Sequence, residues 1–139
     1  MCSTQPSFTE RHLPDLTGYV VLVTGGNSGI GYETTKQLAL RNARVYVSSR
    51  SRDRVDQAIR KMCDETGKDL DLRFLQIDLS DLRSVVTAAE TFLKLESRLD
   101  LLFNNAGVMN VPMSWTGDGH ETQWQVNYLA PFVFTQKLL

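Results

Sequence analysis

Thr24-Gly25-Gly26-Asn27-Ser28-Gly29-Ile30-Gly31 decides how the rest of the chain is read. On its amino side stands Tyr19-Val20-Val21-Leu22-Val23, a β-branched run without polar alternation, which suits a strand buried on both faces of a parallel sheet. On its carboxyl side Ile30, Thr34 and Leu38 recur at helical spacing, predicting a helix from Ser28 to about Asn42 with that stripe on the sheet. Backbone amides at such a helix start can receive an anionic pyrophosphate. Gly25 permits the tight turn, Gly29 lets backbone approach phosphate with no Cβ in the way, and Gly31 lets helix pack closely on strand. Asn27 and Ser28 add side-chain hydrogen bonds. Taken alone, the loop could also be an ordinary glycine-rich strand-to-helix turn. A nucleoside-triphosphate loop is excluded, because no Gly-Lys-Ser/Thr closes the turn.

The same alternation continues outward. Val45-Tyr46-Val47 reads as a second strand, and Val55, Ala58, Ile59 and Met62 mark one face of a second helix. Leu72 to Leu79 reads as a third strand, followed by a helix that Ser80 can cap, with a buried stripe of Leu82, Val85, Val86, Ala89 and Leu93. A fourth strand, Leu99 to Phe103, ends in Asn104-Asn105-Ala106-Gly107. The stretch from Val108 to Gly119 lacks a period, Asp118-Gly119 marks a turn, and a last helix runs from about Glu121 to the terminus. Short connections between alternating strands and helices predict an α/β fold with a doubly wound parallel sheet of Rossmann type. Four strands are expected, in the order 3-2-1-4, and the sheet is incomplete. Residues 1–17 are expected to form a polar tail and 18–139 the nucleotide-binding domain.

Composition narrows the function classes. A net charge of -1 gives no electrostatic footprint for nucleic acid or an anionic membrane surface. No signal-peptide core or membrane-length apolar run is present, which leads to the expectation of a cytoplasmic protein. Cys2 in the tail and Cys63 in a helix make neither a disulfide framework nor a metal set, and His12 and His120 alone argue against zinc.

Thr-Gly-x-x-x-Gly-x-Gly, as it stands at Thr24 to Gly31, resembles the short-chain dehydrogenase/reductase family, and the resemblance runs from about Leu16 to Leu139. Gly26-Asn27-Ser28-Gly29-Ile30-Gly31 and Asp118-Gly119 are most similar to its retinol-dehydrogenase-like and fungal reductase-like members. The resemblance implies an NADP-dependent oxidoreductase that moves hydride between nicotinamide and a small-molecule carbonyl or alcohol. It also implies roles for residues at four further stations. Where an acidic residue would bind a free ribose 2′-hydroxyl, the chain has Ser48-Ser49-Arg50. Ser49 avoids carboxylate repulsion and Arg50 can pair with a 2′-phosphate, favouring NADP over NAD. The alternative is that Arg50 only begins a solvated basic run with Arg52 and Arg54. Asp78 and Leu79 are implied at the adenine, although a lone Asp78 also reads as a helix cap. Asn105, Ala106 and Gly107 are implied at the nicotinamide ribose, with Asn105 divided between cofactor contact and structural support. Asn127 matches the helix asparagine that supports the family's proton relay. Pro131 lacks an N–H and would leave the Asn127 carbonyl without its helical partner, although a helical asparagine beside a tolerated kink reads the same way.

The serine and the Tyr-x-x-x-Lys that follow in the family cannot be placed between Asn127 and Leu139, so this chain by itself is expected to be inactive. Tyr32 and Lys36 share that spacing but sit in the first helix, beside the expected diphosphate, and read as coincidence. His120 is read as solvent-facing, while Trp115, Met109 and Met113 either line a substrate pocket or cover the helix start. A non-catalytic NADP(H)-binding or regulatory module is the competing reading. An unpaired outer edge on the fourth strand, with Val133, Phe134 and Leu138 only partly buried, predicts marginal stability and association, including a homo-oligomer.

Overall fold

The computed structural model describes residues 9–139, so Cys2 and the start of the polar tail lie outside the described residues. Its centre is β1 (Val20–Thr24), buried along its whole length. β1 pairs in parallel with β2 (Arg44–Ser49) and with β4 (Leu101–Phe103), and β2 pairs with β3 (Leu72–Gln76). The strand order is β3-β2-β1-β4, as the alternating pattern requires. Period-2 geometry sends Val21 and Val23 into a core with Tyr32, Leu38 and Met62, and Leu22 into a core with Val85, Phe92 and Phe134. Each such side chain contributes about 1.5–3 kcal/mol relative to exposure, which is why a continuous apolar strand is stable only at the middle of a sandwich.

α1 (Gly29–Leu40) and α2 (Arg52–Thr66) cover one face, and α3 (Leu82–Leu95) the other. α4 (Thr122–Trp124), a π turn (Gln125–Leu129) and α5 (Ala130–Leu138) follow one another, and the π turn and α5 share a core with α3. Leu16 is buried against α1's end and its N–H donates to Arg41 O at 2.7 Å, so the chain docks before β1 begins.

Several local expectations are corrected. The stripe of α1 is Gly31, Tyr32, Thr35, Leu38 and Ala39, while Ile30 is 80% exposed and Thr34 half-buried. Gly31 must face the sheet because its backbone abuts the glycine turn, and that contact rotates Ile30 outward. β3 ends at Gln76 rather than Leu79, and β4 begins at Leu101. Asp81, not Ser80, caps α3, its carboxylate accepting the Arg83 N–H at 2.9 Å. Phe92 fills the core position expected of Leu93, which is 51% exposed. The last helix is interrupted by the π turn, where Ala130 N–H donates to Gln125 O, and Pro131 stands where the α register resumes. Phe134 is fully buried, contrary to expectation, because α5 docks on α3; Val133 and Leu138 are half-buried as expected. β4 has β1 as its one strand partner among the described residues.

Candidate functional site

The carboxyl ends of all four strands open into two adjoining cavities, of about 470 and about 650 Å³. Both are bordered by Gly25, Ser49, Arg50, Ala106 and Gly107. They lie where the strand order reverses between β1 and β4, the crevice in which open α/β sheets bind ligands.

The glycine turn is fastened from two sides. Gly25 N–H donates to Ser48 O at 2.7 Å, and Asn105 Nδ2 donates to Thr24 O at 3.0 Å. The buried Thr24 hydroxyl accepts the N–H groups of Asn105 and Ala106, each at 3.0 Å. Asn105 thus spends its amide joining β4 to the β1 turn, the structural half of its expected role. A Cβ on Gly31 would lie 2.3 Å from Gly25 O and 2.5 Å from Asn105 Nδ2, so this approach of helix to turn admits only glycine. Asn27 and Ser28 border the larger cavity, and Ser28 caps α1 through its backbone conformation with no side-chain cap bond. Gly29 and Ile30 open α1 beside them.

At the end of β2, Ser48 is buried and its hydroxyl donates to Leu75 O, whereas Ser49 and Arg50 border both cavities. The basic run divides. Arg52 pairs with Asp56 at 3.6 Å and lies over the Phe74 ring, whereas Arg50 and Arg54 border the larger cavity with no acidic partner among the described residues.

Asp78 and Leu79 border the smaller cavity with Ile77 and Trp115. Asp78 Oδ1 accepts the Ser80 N–H at 2.9 Å and the Ser80 hydroxyl at 2.6 Å, an Asx turn that shapes the wall. Asn127 is exposed, and both ends of its amide grip one residue. Its Nδ2 donates to Val108 O at 2.7 Å and its Oδ1 accepts the Val108 N–H at 2.8 Å. Gly107 makes room for this grip, since a Cβ there would meet Asn127 Oδ1 at 3.1 Å.

Gln125 and Asp118 were not singled out as functional by their sequence context. Fully buried Gln125 donates to Asp118 Oδ2 at 2.8 Å and accepts the Thr116 hydroxyl at 2.6 Å. Asp118 Oδ2 also accepts the Leu82 N–H at the start of α3. That N–H and Gln125 hold the Asp118 carboxyl below its ordinary pKa. Asp118-Gly119 signalled a turn, but nothing local pointed to α3 as its partner.

Tyr32 and Lys36 border neither cavity. Lys36 pairs with Glu33 and Glu65, and burial, with Glu65 nearby, raises the Tyr32 pKa, the wrong direction for a proton shuttle near neutrality. His120 is half-buried and meets the Trp124 ring at a tilt of 58°, with ring centroids 5.3 Å apart. Met109 and Met113 are about four-fifths exposed and border neither cavity; Trp115 borders the smaller one.

Comparison with known proteins agrees with this geometry. A family model described as short chain dehydrogenase matches residues 19–139. A short-chain dehydrogenase/reductase of Aspergillus calidoustus is 50% identical over 127 residues, covering 91% of this chain and 40% of the relative. Retinol dehydrogenase 12 of Mus musculus is 44% identical over 124 residues, covering 89% of this chain and 39% of the relative. The chain therefore spans less than half the length of these relatives. Among solved structures, a Pseudomonas aeruginosa RhlG/NADP active-site complex superposes with a TM-score of 0.73 at 29% identity, covering 89% of this chain and 48% of that one.

Proposed function

The chain belongs to the short-chain dehydrogenase family, and we propose that it is the NADP(H)-binding portion of an oxidoreductase acting on a small-molecule carbonyl or alcohol. The observation that carries the cofactor reading is Arg50, a cation without an acidic partner among the described residues, at the junction of two cavities and preceded by a serine. Fit to a dinucleotide is supported by the cradle itself. Gly31 and Asn105 hold the turn so that the start of α1 faces the larger cavity, leaving amides and the helix dipole for a diphosphate.

When bound, NADP(H) supplies or accepts the hydride. The chain's own residues bind and orient it. Arg50 pairs with the 2′-phosphate, and Asn27 and Ser28 meet the diphosphate. Ile30 contributes through its backbone, in the first turn of α1, while its side chain is exposed. Asp78 and Leu79 bound the adenine, and Ala106 and Gly107 admit the nicotinamide ribose. Asn127 holds Val108 in place, which fixes the segment leaving β4, and would support proton relay in the intact protein.

Titrating NADP and NAD against tryptophan fluorescence tests this. Preference for NADP is expected, and Arg50→Ala should weaken NADP about ten- to hundredfold, with NAD affinity little changed. Equal affinities for the two cofactors, or no change on Arg50→Ala, would overturn the assignment.

A further inference from the structure

Trp115 is 67% exposed, yet the backbone that carries it is held on every side. Ser114 to Thr122 forms a closed hairpin: Trp115 bridges Glu121, Thr116 N–H donates to His120 O at 2.9 Å, and Thr122 N–H donates to Ser114 O at 2.9 Å. The hairpin is pinned to α3 by Asp118 and to the π turn by the Thr116 hydroxyl on buried Gln125. A large apolar ring on rigid backbone, left open to solvent at the rim of a cavity, is poised to gain contact area with little ordering cost. Ile77, Asp78 and Leu79 border the same smaller cavity; Arg50, shared by both cavities, marks the ribose junction.

We infer that Trp115 is a stacking wall for the purine of the cofactor's adenosine half, and that the hairpin recognises cofactor rather than substrate. The inference rests on the cofactor reading above. Gln125 is then a positioning residue: it touches no ligand, but its side-chain bonds to Thr116 and Asp118 set where the indole stands.

The test uses 2′,5′-ADP, which carries the purine and both phosphates without nicotinamide. Trp115→Ala should weaken its binding about tenfold by calorimetry, the usual loss for one base–aromatic stack, while Trp115→Phe retains most of the affinity. In a Trp124→Phe background, where Trp115 is the one remaining tryptophan, 2′,5′-ADP should quench its emission. Unchanged affinity in Trp115→Ala, or unchanged emission at saturation, overturns the inference and leaves the cofactor reading standing. Failure of the unmutated chain to bind 2′,5′-ADP removes both.

Discussion

Arg44 and Arg50 flank the same strand, and they live in opposite worlds. At the amino end of β2, Arg44 pairs with Asp71 at 2.9 Å and Glu96 at 3.1 Å, Arg73 also meets Asp71, and the Tyr46 hydroxyl donates to Glu96 at 2.7 Å. Nearby, Asp100 accepts the Val20 N–H and pairs with Arg98. At the carboxyl end the strands are tied by neutral bonds through Thr24, Ser48 and Asn105, and Arg50 has no acidic partner among the described residues. The difference separates architecture from recognition. Closed charges hold strand ends together without leaving a field, whereas neutral fastening leaves a cation and a helix start able to attract an anion.

The strongest way to break the comparison is at the closed end. Glu96→Ala leaves a buried tyrosine hydroxyl and two arginines without their shared acceptor, and should cost about 2–3 kcal/mol in urea unfolding. NADP affinity should not change, whereas Arg50→Ala should do the reverse, altering affinity with stability held within about 0.5 kcal/mol. A loss of NADP binding in Glu96→Ala would show that the two ends are coupled.

A smaller effect is expected from acid. Burial opposes ionisation of Asp71, but Arg44 and Arg73 outweigh it and hold the carboxyl below its ordinary value of 3.8. Its stabilisation is therefore complete above that value and lost as pH falls through the lower folded pKa. Urea midpoints measured across that range should decline less steeply in Asp71→Asn; an unchanged slope would remove Asp71 from the acid response.

The smallest effect is expected at Tyr32, whose buried hydroxyl has no hydrogen-bond partner among the described residues. Tyr32→Phe should shift stability by less than about 0.5 kcal/mol and leave cofactor binding untouched. A large loss of either would show that the Tyr32 and Lys36 pair had been dismissed wrongly.

Much of the fold was legible because its signals are local. The unbroken apolar run at Val20 to Val23 could satisfy itself only between two helical layers, and Gly31 marked a contact that no side chain survives. Boundaries were less legible. Ile30 and Leu93 fit a helical stripe by spacing, but the glycine turn and Phe92 set the rotation of their helices. The third strand ran too far in expectation because Ile77 and Leu79 are buried beyond the last ladder residue, and apolar character does not distinguish a strand from a buried cavity wall.

By itself, the sequence determined the α/β class, the strand order and the place of the glycine turn, because periodicity and turn chemistry act over a few residues. Only the tertiary structure decided which arginine is paired and which is open, since that depends on carboxylates 27 and 52 residues away from Arg44. It alone joined Asp118 to Leu82 across 36 residues and put Trp115 on the border of the same cavity as Asp78 and Leu79. Spacing along a chain says which face a side chain shares with its neighbours; the partner it meets across space is chosen by how the layers pack.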